Sequence, residues 1–145
     1  TRVRSSAASD VYKRQTQKAV TTALSMARAF GASVFAIAVR EPFPYSAISE
    51  MQPTPPQEFF DAQERIANQR LSAVADAARA AGVQASTESV EAGHPWEAII
   101  DAAKRNDCDL IVMASHGRRG VSALLLGSET QKVLTHTSTP VLVVR

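Results

Sequence analysis

The residues best suited to chemistry lie in the run Ala114, Ser115, His116, Gly117, Arg118, Arg119, Gly120, with Gly127 and Ser128 following nine intervening residues after Gly117. Glycines let backbone N–H groups approach phosphate oxygens that a Cβ would hold off, and a helix N-terminus adds unpaired donors and the positive end of its dipole. The pattern therefore suits an anion, phosphate above all. Arg118 is a candidate counter-charge closing over such a group, although adjacent arginines on a loop are as often simply solvated. Ser128 with Gln131 makes a capping-box pattern, so its hydroxyl is available to the helix, to a phosphate or to each in turn. Gly117 and Gly127 would serve tight turns equally well, and the residues alone leave both roles open.

Other chemistries are weaker. Ser115 beside His116 supplies a nucleophile and a base by type, but neighbours at a strand end point apart and no third group is placed to orient them. An esterase-like reading therefore ranks last. His94, His116, His136 and Cys108 lack the spacing of a zinc site, so no metal ligands are assigned. No general base or Walker-type lysine is visible, so no catalytic residues are assigned and the chain is expected to bind rather than turn over. His94 fits a position near a helix cap, His136 a helix C-terminus where positive charge is welcome, Cys108 a small buried or half-buried position and Trp96 a core anchor.

The elements that must position this loop can be read from hydrophobic periodicity. Val20, Ala23, Leu24, Ala27 and Phe30 make a helical stripe from Thr16 that stops at Gly31, where a left-handed turn is available. Ser33 to Val39 is apolar on both faces, as in a parallel strand covered by helices on each side. Five prolines between Pro42 and Pro56 then fill a loop long enough to act as a flap. Phe60, Ala67, Leu71, Val74 and Ala78 mark a long second helix ending at Gly82, and the more polar Val83–Val90 suits a sheet edge. Pro95 opens a third helix carrying Trp96, Ile99, Ile100 and Ala103 on one face. Asp109–Ala114 holds the most continuous apolar strand, expected at the centre. A last helix from Ser128 to about Thr137 and a strand from Pro140 to Val144 complete the alternation, which predicts an α/β fold: an open, mostly parallel sheet with helices on both faces. Ligands in such sheets sit beyond the carboxyl ends of the strands, where the glycine-bearing loop lies.

Composition sets the outer limits. The 145 residues, 45% apolar and 21% charged, suit one domain with a sizeable core. A single cysteine excludes an intrachain disulfide and favours a reducing, cytoplasmic setting. No apolar run is long enough for a membrane span, and no signal-like h-region follows the basic N-terminus, so no membrane partner is expected. Arg2, Arg4, Lys13 and Arg14 against Asp10 put +3 into the first fifteen residues of a chain of net charge +2, leaving −1 for the remainder. The folded part is nearly neutral, and a nucleic-acid partner is not indicated.

The segment LIVMASHGRRGVSALLLGSETQKVLTHTSTPVLVVR resembles the C-terminal signature of the universal stress protein family, and the likeness continues back through TQKAVTTALSMARAFGASVFAIAV. ATP-binding members of that family carry G-x2-G-x9-G-[S/T], whose positions fall here on Ala114, Gly117, Gly127 and Ser128, with alanine replacing the first glycine. The resemblance implies a Rossmann-like fold and ATP as ligand, with Mg accompanying it. It also implies that Gly117, Gly127, Ser128 and the Glu129 backbone hold phosphates, that Ala114 lies by the ribose and that the Val39 backbone meets adenine. It further implies a homodimer formed through Val141–Val144, whose apolar edge makes self-pairing physically sensible. The extra methyl of Ala114 is tolerable where φ is negative. The alternative is a dimeric member of the same family that binds no nucleotide, its pocket blocked by Ala114, and acts through protein–protein contacts.

The N-terminus departs from the family. Members begin with a central strand ending in an aspartate, whereas residues 1–15 read TRVRSSAASDVYKRQ, without an apolar run or a period-two pattern. SSAASDVYKRQ resembles translated sequencing adapter joined to a natural sequence from about Thr16. Residues 1–15 are thus expected to be non-native or disordered, with Asp10 and its followers at most lengthening the first helix, and residues 16–145 to form the domain. The first central strand is expected to be missing, which would leave two unpaired inner edges and a fragile sheet.

Overall fold

The computed structural model describes residues 2–5, 10–43, 56–115 and 125–145. The apolar stripe of the first helix becomes a buried face of α1 (Asp10–Phe30), where Ala19, Val20, Ala23, Leu24 and Ala27 are all inaccessible to solvent or nearly so. The same logic buries Ala67, Leu71, Val74 and Ala78 of α2 (Gln57–Ala80) and Ile99, Ile100, Ala102 and Ala103 of α3 (Pro95–Arg105). The shorter α4 (Ser128–His136) buries Thr130 and Val133. Between the helices run β1 (Arg2–Ser5), β2 (Val34–Arg40), β3 (Ala85–Glu91), β4 (Ile111–Ala114) and β5 (Val141–Val144). They form one sheet in the order β3-β2-β1-β4-β5, with every pairing parallel.

Strand alternation divides the core in two. Val34, Ala36 and Ala38 of β2, with Val112 and Ala114 of β4, face α1 and α2. Ile37, Ile111 and Met113 face α3 and α4, where Ile99 and Val133 meet them. β4 is buried throughout and β3, half-exposed, is an edge, as the residue patterns predict. No described helix is long and apolar enough to cross a membrane. The proline-rich segment read as a flap lies largely outside the described residues.

The expectation that the first central strand is missing is overturned. Arg2–Ser5 occupies the middle of the sheet, paired with β2 from Arg2↔Phe35 to Ser5↔Ala38 and with β4 through Arg2↔Ile111 and Val3↔Val112. A ladder is built from main-chain N–H and C=O groups, which RVRS carries despite its lack of an apolar pattern, and the slot it fills would otherwise expose two inner edges. α1 starts at Asp10 rather than Thr16, so the polar stretch does lengthen the helix.

Three helices end alike. The C-terminal turn of α2 is closed by Val83 N–H to Ala78 O at 2.8 Å and Gly82 N–H to Arg79 O at 3.2 Å, with Gly82 at φ 69°. This is a Schellman cap. Ala32 N–H to Ala27 O does the same around Gly31, at φ 63°. At the end of α3 the pattern repeats with Cys108 N–H to Ala103 O, but the left-handed residue is Asp107, at φ 45°. A side chain in this region is strained where glycine is not. Asp107→Gly is therefore expected to raise stability by about 0.5–1 kcal/mol in a denaturant titration, the release of strain exceeding the added freedom of the unfolded chain. Unchanged or lowered stability would mean that the aspartate side chain compensates.

Candidate functional site

The loop that leaves β4 and enters α4 is closed at its described ends. Ser115 donates its N–H to Val144 O at 2.9 Å, and its carbonyl accepts from Gly127 N–H at 2.7 Å. The buried hydroxyl of Thr130 donates toward the carbonyls of Ala114 and Ser115, at 3.2 and 3.3 Å. The first turn of α4 is thus fastened to the end of β4, at the carboxyl edge of the sheet. His116, Gly117, Arg118, Arg119 and Gly120 lie outside the described residues, and with them the Ser115–His116 pair.

Gly127 is the N-cap of α4, with φ −61° and ψ 152°, and makes Ser128 the first helical residue. This corrects the capping-box reading, which needs Ser128 at the cap. Gly127 takes that position because its N–H closes the loop onto Ser115, and Gln131 instead sends its side-chain amide to Leu126 O at 2.8 Å. The first intrahelical bond runs from Gln131 N–H to Gly127 O. Among the described residues the amides of Ser128, Glu129 and Thr130 have no partner, and no side chain caps them. Extended backbone of this kind is open to any residue, so Gly127 is not required by the turn. It places no Cβ beside these three donors.

The neighbouring helix end differs. In α3, Pro95 has no N–H to satisfy, Glu97 N–H bonds His94 O at 3.1 Å, and Trp96 N–H bonds the Glu129 carboxylate at 2.9 Å. Two helix N-termini therefore lie side by side, one already satisfied and one without a partner among the described residues. Of these two described helix ends, α4 is the one that offers an anion amides without a described partner.

Val39, next to last in β2, and Ala114, last in β4, stand at the same sheet edge with β1 between them, about 10 Å apart at ordinary strand spacing. Asp107 is the one non-glycine residue with positive φ among those described, so Ala114 has the negative φ that makes its methyl tolerable. That methyl packs into the core under α1 and α2. Arg40, which ends β2, binds Ser89 Oγ at 2.9 Å and lies 3.9 Å from Glu91. No group of three His, Cys, Asp or Glu side chains among the described residues could hold a metal ion. Asp101 and Glu88 push the Arg105 guanidinium further above its usual range, but at the far end of α3.

Thr130 and Trp96 enter the site where the residue patterns did not assign them. A threonine in the first turn of a helix after a glycine-bearing loop is the visible signal for the first. The bond from Trp96 to Glu129 spans 33 residues and leaves no local trace.

A family model described as the universal stress protein family matches residues 11–145. A curated relative, the universal stress protein in the QAH/OAS sulfhydrylase 3'region of Thermus aquaticus, is 34% identical over 130 residues, covering 89% of each chain. Among solved structures, a universal stress protein in complex with cAMP shares the fold at TM-score 0.71 and 22% identity, over 99% of this chain and 94% of that one. The universal stress protein of Archaeoglobus fulgidus in complex with dAMP does so at TM-score 0.67 and 19% identity, over 99% and 95%.

Proposed function

Because the chain belongs to the universal stress protein family, we propose that it is a stress-response protein that binds ATP or a related adenine nucleotide at the edge where α4 meets β4. The observation that carries this reading is the N-terminus of α4, where no side chain caps the helix and three amides beside Gly127 have no partner among the described residues, next to a helix end whose donors are already taken. In it, Gly117, Gly127, Ser128 and the Glu129 backbone hold phosphates, with Arg118 as counter-charge. Ala114 lies by the ribose and the Val39 backbone meets the base. Mg travels with the triphosphate rather than on a protein ligand set. Structures of the same fold hold cAMP and dAMP, which supports an adenine ligand. The domain acts in the cytoplasm with β1 as part of its sheet, and its role is binding without a catalytic residue.

Calorimetric titration of the purified chain with ATP, ADP and inorganic phosphate tests this. Saturable binding of ATP, weakened as phosphate is added, is the expected result. A chain that takes up no nucleotide yet remains dimeric would overturn it in favour of a family member acting through protein contacts alone.

The homodimer forms in this reading through β5, an edge strand with one side unpaired and three half-buried residues, Val141, Leu142 and Val143. Neither core cluster includes Val143. Val143→Asp is expected to convert dimer to monomer in light scattering, because a carboxylate there would lose water and face its own copy. A dimer that survives the substitution would move the interface elsewhere.

A further inference from the structure

We propose that Glu129 is a positioning residue for the nucleotide site, its carboxylate fixing the open end of α4 against α3; the inference rests on the reading above. Trp96 touches α4 at both ends. Its backbone N–H donates to Glu129 Oε2 at 2.9 Å, and its indole lies against the His136 ring, with centroids 4.4 Å apart and planes at 35°. Glu129 and His136 are seven residues apart, two helical turns, and so share one face. Val133, buried between them, packs into the cluster that holds Ile99 and Ile100. The His136 ring is fixed in turn by a 2.8 Å contact of Nδ1 with Lys132 O.

The arrangement has a specific consequence for the amides. Glu129 carries both a backbone N–H with no partner among the described residues, which would face phosphate, and a side chain that holds α3. The bond to Trp96 therefore sets how the first turn of α4 is rotated, and with it where its amides aim. It also keeps the carboxylate turned toward the positive end of α3 instead of toward an incoming anion. Occupancy of the site is felt at Trp96 through the same bond, and this is the chain's single tryptophan.

The test compares ATP binding and Trp96 fluorescence in the full chain carrying Glu129, Glu129→Gln or Glu129→Ala. Glutamine keeps an acceptor for the Trp96 N–H, and alanine does not. Binding about tenfold weaker in Glu129→Ala, with affinity within about threefold of the parent in Glu129→Gln, is expected, as for loss of one charge-assisted hydrogen bond. The fluorescence response to ATP should persist in the glutamine variant and vanish in the alanine variant. A residue that merely stabilises the fold would lower the melting temperature and leave the affinity measured well below it unchanged. Equal affinity in the parent and Glu129→Ala would overturn the inference alone, and so would equal loss in both variants. A parent chain that binds no ATP would overturn the functional reading, and this inference with it.

Discussion

Gly127→Val is expected to abolish nucleotide binding while leaving the fold intact. At φ −61° and ψ 152° the backbone there suits a β-branched residue as well as glycine. Folding stability should change by no more than about 1 kcal/mol, since the valine side chain meets no positive-φ strain and restricts the unfolded chain. The effect falls on the ligand. A Cβ with two methyl groups would stand beside the amides of Ser128 and Glu129, where phosphate oxygens must come within hydrogen-bonding distance. Affinity should fall by at least about 100-fold, or 2.7 kcal/mol, in a calorimetric titration. Thermal unfolding of the same sample separates the outcomes. Full binding with an intact melt would show that the anion does not sit on this turn. A collapsed melt would show that Gly127 is required by the loop itself.

Ile99→Ala should produce the largest loss of stability. Ile99 is fully buried on α3 within the cluster that joins Ile37 of β2, Met113 of β4 and Val133 of α4. Truncation removes three carbons from a site walled by two helices and the sheet, which cannot easily collapse, so about 3–4 kcal/mol is expected. Against a domain stability of about 5–15 kcal/mol that is a substantial fraction, and the melting temperature should fall by about 10 °C or more. Ile66→Ala provides the contrast. The same residue type on α2 is 39% exposed, and its truncation should cost less than about 1 kcal/mol. Comparable losses at both positions would contradict this division of the core.

Much of the fold is legible in the residues because it depends on local periodicity. Ala67, Leu71, Val74 and Ala78 identify their helix and its buried face together, and the glycines after α1 and α2 end those helices as left-handed caps do. The parallel, open sheet follows from alternation of elements, and β3 betrays its edge position by the polar residues Thr87 and Glu88. β1 could not be read this way. RVRS has no pattern, and its place is decided by the empty slot between β2 and β4, a property of the assembled sheet. The candidate site divides similarly. Gly127 and Ser128 are visible as a loop-to-helix junction, but which of them caps the helix depends on where Ser115 O lies. The carboxylate of Glu129 is directed by a helix 33 residues earlier in the chain, which no local spacing reveals.

The uneven pairing of β1 carries a mechanical consequence. Among the described residues it is laced to β2 along Arg2–Ser5 but to β4 through Arg2 and Val3, so the sheet's own hydrogen bonding has a seam between a β2–β3 half and a β4–β5 half. Val39 lies on one side of that seam and the open end of α4 on the other. Any molecule long enough to grip both would act as a staple across it. Amide exchange along β4 should then slow when the site is filled, as the two halves lose the freedom to part.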